Sequence, residues 1–249
     1  TRITRVPVCD ACLDRIQVVD GPVCAACGER VPVQGASEGD GRELCASCSQ
    51  SEPAFTRAAA YGSYDAGMRE LIHLLKYEHV RPAANLLGRM LAEVIADLSD
   101  AFTGVPVVIP VPLHVSKYRQ RGFNQSETIA RAALKLHPAG LDWKPNISAL
   151  VRQKNTGSQT GLTPAQRREN MRGAFAVVRP DDVRGRDILL VDDVMTTGTT
   201  ASECARVLRR AGAERVFVAT VARVLMPEAA RVTVNSDEEV RPQAMAAHA

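Results

Sequence analysis

Two adjacent carboxylates followed by a run of hydroxyl side chains make residues 188–200 the stretch of the sequence best suited to chemistry. The apolar residues 188–191 predict a short buried strand, and Asp192 and Asp193 follow it directly. A helical pattern covers residues 201–211. The candidate ligand-binding residues between strand and helix are Met195, Thr196, Thr197, Gly198, Thr199 and Thr200. α/β folds build anion sites from such a strand, small-residue loop and helix start.

This loop has the donors that a phosphate group needs. Gly198 allows a tight turn, while backbone N–H groups and threonine hydroxyls donate hydrogen bonds. Two carboxylates would repel a bare phosphate, so we expect Asp192 and Asp193 to accept hydrogen bonds from sugar hydroxyls or to hold Mg²⁺. A ligand with a phosphate, a ribose diol and a metal ion satisfies every group in the stretch. The alternative is a strand-to-helix turn that binds no ligand.

A second group of candidates follows the apolar strand predicted over residues 105–111. We expect a basic loop there, with Lys117, Arg119, Arg121 and Gln125 as its ligand-binding residues. Ligands bind at the carboxyl ends of strands in open α/β sheets, so cations in such a loop suit a second anionic group. The alternative is a solvated basic loop without a ligand.

The third unusual segment is residues 155–170, which begin with glycine and hydroxyl residues and predict a mobile polar lid. The candidates in and beside this flexible loop are Arg152, Thr156 and Gln159. Residues 110–179 contain twelve Lys or Arg and three Asp or Glu, whereas the whole chain has a net charge of only +3. This local excess suits either a highly anionic small substrate or a nucleic-acid backbone. Few aromatic residues accompany it, so no platform for stacking bases is evident.

A helix predicted over residues 67–80 carries Lys76 near its end. Lys76 either complements the helix dipole in solvent or contacts a ligand, and the first interpretation is favoured. In the segment before this helix, residues 55–64 predict a strand with a turn at Gly62.

Six of the seven cysteines lie in the first 48 residues, as three Cys-x-x-Cys pairs. Two pairs have the spacing of a zinc ribbon, and their residues are Cys24, Cys27, Cys45 and Cys48. This tetrad predicts a closed site for structural Zn²⁺. The remaining pair, Cys9 and Cys12, lacks two further ligands in the visible chain, and one interpretation is half of a second ribbon that begins before residue 1. A disulfide framework and a redox dithiol are the alternatives.

The chain has 249 residues, enough for one α/β domain and a small module. Alternating strand and helix patterns predict a doubly wound parallel sheet. We expect a cysteine-rich zinc-ribbon module over residues 1–52, the α/β domain over residues 53–226, and a partly disordered tail over residues 227–249. The sequence shows neither a long apolar run nor a signal-peptide core, which predicts no membrane insertion and a cytoplasmic location.

Residues 188–200 closely resemble the loop of type I phosphoribosyltransferases that binds 5-phosphoribosyl-1-pyrophosphate (PRPP): apolar residues, Asp-Asp, two spacers and Thr-Thr-Gly-x-Thr. The resemblance implies a type I phosphoribosyltransferase fold in which Asp192 and Asp193 hold the ribose hydroxyls. It implies that residues 196–200 wrap the 5-phosphate of PRPP bound with Mg²⁺. The implied reaction is transfer of the phosphoribosyl group from PRPP to an unidentified base, or its hydrolysis, with release of pyrophosphate and with Asp192 and Asp193 as the catalytic residues.

The sequence Arg-Gly-Phe-Asn-Gln at 121–125, the segment 152–159 and the paired cysteines extend the similarity over nearly the whole chain to about residue 224. With the acidic loop, they resemble the ComF/GntX family of competence-associated phosphoribosyltransferase-like proteins. That resemblance implies a zinc ribbon joined to a phosphoribosyltransferase domain, and a role in DNA uptake or nucleotide salvage. The implied partners are PRPP, a base, and single-stranded DNA or competence helicase machinery. The alternative is a non-catalytic protein that handles single-stranded DNA and retains a PRPP pocket.

Overall fold

The computed structural model describes residues 8–31, 43–78, 80–136, 145–156 and 164–225. The helices in these ranges are α1 (Asp10–Leu13), α2 (Ala46–Gln50), α3 (Ala66–Tyr77), α4 (Ala83–Ser99), α5 (Val115–Arg121), α6 (Gln125–Leu134), α7 (Pro164–Met171) and α8 (Thr199–Arg210). The strands are β1 (Arg57–Ser63), β2 (Val107–Pro110), β3 (Leu150–Arg152), β4 (Phe175–Val177), β5 (Asp187–Met195) and β6 (Arg215–Arg223), and a 3₁₀ turn covers Pro180–Asp182. Among the described helices, none is both long and apolar enough to cross a bilayer.

Four strands form one parallel sheet in the order β1-β6-β5-β2, and β3 pairs with β4 in a separate antiparallel ribbon. Helices α3, α4 and α6 pack on one face of the large sheet, and α8 packs on the other. A parallel sheet covered on both faces buries nearly all of its side chains, which explains the continuous apolar runs in the sequence. The predicted doubly wound parallel fold is confirmed.

The central strand β5 is longer than the apolar pattern predicts. Residues 187–191 are buried, with Ile188 and Leu190 in the core beneath α8 and Leu189 and Val191 in the core beneath α4. The strand then continues through the two aspartates, because Asp192, Val194 and Met195 stay in register with β6. The acidic pair therefore lies inside strand β5, near its carboxyl end, and not in the loop that follows the strand.

The cysteine-containing segment is attached to the edge of the sheet. Val18 forms an antiparallel bridge with Gly62, and Gln17 O accepts a 2.8 Å hydrogen bond from Ser63 N. A Cβ at Gly62 would lie 2.7 Å from that same oxygen, so glycine is required for this close approach. The predicted turn at Gly62 is wrong, because Gly62 lies inside β1. The domain boundary near residue 52 stays a prediction, and the predicted tail of residues 227–249 lies outside the described residues.

Candidate functional site

Asp192 and Asp193 are consecutive residues near the carboxyl end of β5, and their carboxyl groups are close enough to share a hydrogen bond. Asp192 Oδ1 accepts hydrogen bonds from Ser126 Oγ at 2.8 Å and from the Asp193 backbone N–H at 2.9 Å. Within the described part of the chain, no donor contacts Asp192 Oδ2. Burial and the neighbouring charge of Asp193 raise the pKa of Asp192 to about 7. Asp192 therefore has one open acceptor oxygen for a ligand.

Asp193 is held by two protein donors. Its Oδ1 accepts a 3.4 Å hydrogen bond from Gln125 Nε2, and its Oδ2 forms an ion pair with the ammonium of Lys76. The carboxylate is 4% exposed, so solvent screens this pair weakly. Burial alone would raise the pKa of Asp193, but the charge and hydrogen bond of Lys76 hold it below its ordinary value. Asp193 is thus ionised and fixed in orientation.

Lys76 lies in the site, contrary to the favoured interpretation of a solvated cation at a helix end. The buried face of α3 includes Ile72, and Lys76 follows it by four residues on the same face. Burial opposes the charge on Lys76, but Asp193 raises its pKa above the ordinary value, and the lysine stays protonated. The position of Lys76 four residues after the core residue Ile72 is the sequence signal that could have predicted its place in the site.

The predicted basic loop after β2 is wrong, because Lys117, Arg119 and Arg121 lie in helix α5 and Gln125 begins helix α6. His114 Nδ1 accepts a hydrogen bond from Ser116 N at the start of this helix, and Gly122 ends it with a left-handed φ of +78°. On a helix, Lys117 and Arg121 share a face, whereas Arg119 points elsewhere. Arg119 is exposed and does not join the acidic pair.

Arg121 is connected to the acidic pair through an amide. Its Nη1 donates to Gln125 Oε1 at 2.5 Å, while Gln125 Nε2 donates to Asp193. The guanidinium of Arg121 also lies over the ring of Tyr77, 5.4 Å from its centroid. Gln125 therefore uses both ends of its amide to link a basic residue of α5 to the carboxylate at the end of β5.

Arg152 lies in β3, not in a flexible loop as predicted. Its Nη2 contacts Thr156 Oγ1, and its guanidinium lies 5.4 Å from the centroid of the Phe175 ring. Thr156 is buried, so these two residues form a packed border of the predicted lid. The candidate Gln159 and the remaining lid residues 157–163 lie outside the described residues.

Four cations surround the acidic pair. Burial and the nearby charges of Arg152, Arg121 and Lys76 lower the pKa of Lys117, so Lys117 lies within electrostatic reach of the other three cations. Burial also lowers the pKa of Arg152. Such a concentration of positive charge beside two carboxylates favours a ligand that carries more than one negative group.

The threonine loop has the geometry of an anion site. Thr196 and Thr197 are exposed, and Thr197 Oγ1 lies 2.8 Å from Thr199 Oγ1. Gly198 adopts a left-handed φ of +73° and directly precedes the twelve-residue helix α8. The first-turn N–H groups of α8 and the threonine hydroxyls are therefore available beside the carboxylates for a phosphate.

The four predicted zinc ligands are brought together. The Sγ atoms of Cys24, Cys27, Cys45 and Cys48 all lie within 4.8 Å of one another. A tetrahedral Zn²⁺ with Zn–S bonds of about 2.3 Å requires S···S distances of about 3.8 Å, and Cys27 Sγ lies 3.6 Å from Cys45 Sγ. A hydrogen bond from Cys27 lowers the pKa of the Cys45 thiol, whereas burial raises the pKa of Cys48, so the four thiols have unlike environments when no ion is present. Cys9 is exposed and is not a member of this cluster, and the Cys12 side chain lies outside the described structure.

Comparison with known proteins shows the family of this chain. The phosphoribosyl transferase domain family matches residues 147–240. The DNA utilization protein YhgH of Escherichia coli K12 is 33% identical over 184 residues, covering 73% of this chain and 78% of that protein. Competence protein F of Haemophilus influenzae is 31% identical over 183 residues, covering 72% and 78% of the two chains. The chain belongs to the ComF/GntX family. Its members are phosphoribosyltransferase-like proteins.

Solved phosphoribosyltransferases resemble this ComF/GntX chain only distantly. Orotate phosphoribosyltransferase of Mycobacterium tuberculosis is 22% identical and has a TM-score of 0.35, covering 63% of this chain and 70% of that one. A hypoxanthine phosphoribosyltransferase of Staphylococcus aureus is 14% identical with a TM-score of 0.33, covering 62% and 71%.

Three residues of this ComF/GntX site were not predicted from the sequence as ligand-site residues: Lys76, Asn124 and Ser126. Asn124 caps α6 by accepting from Ser126 N at 3.0 Å, and its Nδ2 donates to Val111 O at 3.0 Å. These bonds fix the start of α6 against the end of β2 and place the Ser126 hydroxyl on Asp192. An Asn-x-Ser sequence directly before a helical pattern was the available signal for this cap.

Proposed function

We propose that this protein binds PRPP with Mg²⁺ at the carboxyl end of β5 and transfers the phosphoribosyl group to a nitrogen base or to water. The observation that carries the proposal is one arrangement: an ionisable pair, Asp192 and Asp193, directly before the Gly198 turn and the start of α8. A simple anion cannot bind to both the aspartate pair and the start of α8, because the carboxylates repel the negative charge that the helix N-terminus attracts. A phosphorylated ribose uses both, with its diol on the carboxylates and its phosphate on the loop.

The cations around the pair account for the second anionic group of PRPP. Lys117, Arg121 and Arg152 border the site on the side of α5 and β3, where they suit the pyrophosphate. In the proposed reaction the bond from the anomeric carbon to pyrophosphate oxygen breaks, and pyrophosphate leaves with the electron pair. A bond to the incoming nitrogen or water oxygen forms, and the nucleophile loses its proton to solvent. Bound Mg²⁺ supplies further neutralisation of the leaving group.

The carboxylates contribute by stabilising positive charge on the ribose ring. As the bond to pyrophosphate lengthens, the ring becomes oxocarbenium-like, and negative groups fixed beside it lower the barrier. Asp193 is already ionised and immobilised by Lys76 and Gln125. Asp192 offers its open Oδ2 to the ribose diol. The two aspartates thus suit different tasks, with Asp192 binding the sugar and Asp193 supplying a fixed charge.

Pyrophosphate release from PRPP, with each nucleobase offered in turn and with water alone, tests the proposal. We expect release by the wild-type chain and a loss of at least about 100-fold in Asp193→Asn, because a preorganised charge is removed. Arg69→Met is the matched control, since Arg69 is exposed on α3 and should leave release unchanged. Equal turnover in Asp193→Asn and wild type contradicts the assigned role.

A second candidate function is suggested by the names of the relatives, which refer to DNA utilization and competence. Lys117 and Arg119 are exposed on α5 beside the site, where a nucleic-acid backbone could contact them. In this alternative the protein handles single-stranded DNA with competence helicase machinery, retains the PRPP pocket and does not turn over. PRPP binding without pyrophosphate release, together with salt-sensitive retention of single-stranded DNA, supports it over the enzyme.

A further inference from the structure

The ion pair between Lys76 and Asp193 has a consequence for how a metal ion can enter the site. Lys76 comes from α3, on the face of the sheet opposite α8, and its side chain is 18% exposed. Asp193 is the only acidic group in hydrogen-bond contact with its ammonium in the described chain. A buried lysine in direct contact with a carboxylate occupies the position that a metal ion would need on that oxygen.

The remaining carboxylate oxygens offer little to a free divalent ion. Asp193 Oδ1 accepts from Gln125, and Asp192 Oδ1 accepts from Ser126 and the Asp193 N–H. Only Asp192 Oδ2 lacks a protein donor among the described residues. Mg²⁺ usually requires an octahedron of oxygens and is held by carboxylates together with ligand phosphates. One open oxygen beside an ammonium does not provide such a site.

The surrounding charge acts in the same direction. Lys117, Arg121 and Arg152 add to Lys76, so the immediate surroundings of the two carboxylates are net positive. A free dication is repelled by this cluster, whereas a magnesium pyrophosphate group, whose net charge is negative, is attracted.

We propose that Lys76 is a resident counter-ion that excludes free divalent metal from Asp192 and Asp193 until a ligand with its own anionic groups occupies the site. Lys76 is a positioning residue in this proposal, because it fixes the Asp193 carboxylate and determines which cation it faces. The proposal rests on the proposed function for the identity of the ligand. Its central claim, metal exclusion from the ligand-free site, can be tested without PRPP.

The experiment titrates the full zinc-loaded chain with MnCl₂ in the absence of PRPP and measures free Mn²⁺ by electron paramagnetic resonance. At millimolar Mn²⁺ we expect wild type to show no Asp193-dependent binding of the ion. Lys76→Met removes the charge at nearly constant length, and we expect it to bind one Mn²⁺ with a dissociation constant at least about tenfold below the highest Mn²⁺ concentration at which wild type shows no such binding. The double variant Lys76→Met/Asp193→Asn should lose that binding again, which locates the ion.

Two further variants keep the result interpretable. Lys76→Arg retains a cation and should still exclude Mn²⁺, and Arg69→Met removes a cation from the exposed side of α3 without an effect. If Lys76→Met does not fold, as judged by thermal unfolding, Lys76→Gln replaces it. Wild-type Mn²⁺ binding that is abolished by Asp193→Asn overturns the proposal, as does a lack of Mn²⁺ binding in folded Lys76→Met.

A separate arm distinguishes this proposal from the proposed function. PRPP binding to wild type is measured by calorimetry with and without Mg²⁺, and no binding in either condition defeats the assignment of PRPP. That result leaves the Mn²⁺ titration intact as a test of Lys76. Conversely, PRPP binding by a wild-type protein that also binds Mn²⁺ at Asp193 supports the site but rejects the role of Lys76.

Discussion

Arg223 Nη2 lies 3.5 Å from Cys27 Sγ and 3.2 Å from Glu29 Oε2, so one buried arginine at the end of β6 contacts both a zinc ligand and an acidic residue beside it. Four thiolates around Zn²⁺ carry a net charge of −2, and a guanidinium in contact with one of them reduces that charge. Arg223 also pairs in register with Met195, the residue before the threonine loop. The metal cluster and the candidate phosphate site therefore meet at the ends of two adjacent strands.

The first prediction concerns zinc retention. Arg223→Gln removes the charge next to Cys27 and breaks the buried ion pair between Arg223 and Glu29. We expect faster transfer of zinc to a chromogenic chelator and a lower melting temperature. Arg223→Lys keeps the charge and should lie between the variant and wild type. Unchanged zinc transfer in Arg223→Gln would show that the contact with Cys27 does not stabilise the metal.

The second prediction concerns the number of zinc ions and their effect on the site. We expect Cys45→Ser to lose the zinc held by the four-cysteine cluster, and Cys9→Ser to retain it, because Cys9 lies outside that cluster. Cys45→Ser should also bind PRPP more weakly, since loss of the cluster removes a side-chain contact that anchors Arg223, the residue in register with Met195. Elemental analysis and calorimetry measure the two effects. Equal zinc content in both variants would contradict the assigned ligand set.

Local patterns predicted the elements that carry the site because these residues are subject to strong local rules. A buried apolar run before Asp192 is compatible with few structures other than a strand, and a glycine before a helical pattern indicates a helix start. The structure contains both the strand β5 and the helix α8. The cysteine spacing was similarly decisive, since two knuckles of that spacing suit one tetrahedral ion.

The placements that the sequence did not predict depend on long-range contacts. Lys76 has the same local pattern whether it faces solvent or a carboxylate, and only the packing of α3 beside β5 decides between them. The sequence around Lys117 does not distinguish a loop from a helix, because helix α5 is short and depends on caps at His114 and Gly122. Gly62 was interpreted as a turn, although the requirement for glycine comes from Gln17, which is distant in sequence.

The third prediction uses the left-handed glycine of the threonine loop. Gly198→Ala forces a Cβ into a conformation with φ of +73°, which costs about 1–2 kcal/mol and favours a different loop. The nearest atoms to that Cβ, in Phe55 and Met195, lie at 3.6 Å or more, so the effect comes from the backbone and not from a clash. We expect weaker binding of PRPP and of ribose 5-phosphate by calorimetry.

Gly104→Ala is the matched control for this loop variant. Gly104 is an exposed glycine whose added Cβ meets no atom within 4 Å, and its φ does not lie in the left-handed region. It should change neither stability nor phosphate binding by a measurable amount. A Gly198→Ala protein that binds both phosphates as tightly as Gly104→Ala would remove the loop from the candidate site.

The fourth prediction concerns pH and rests on Asp192, whose pKa is raised to about 7 by burial and by the charge of Asp193. An aspartate in the unfolded chain titrates near about 3.9, so between these values the folded protein binds the extra proton. Stability contributed by this group is therefore present at low pH, is lost as the pH rises toward 7, and levels off above it. In Asp192→Asn this component is absent.

Urea unfolding of wild type and Asp192→Asn from pH 5.5 to 8.5 measures the effect as a difference, which cancels groups common to both proteins. The difference in unfolding free energy, wild type minus variant, should fall as the pH rises to about 7 and then stay constant. Ligand binding should show the opposite trend, because the ribose diol needs the ionised carboxylate as an acceptor. PRPP affinity of wild type should thus increase through neutral pH while its stability decreases, and a difference that is independent of pH would show that Asp192 is already ionised in the free protein.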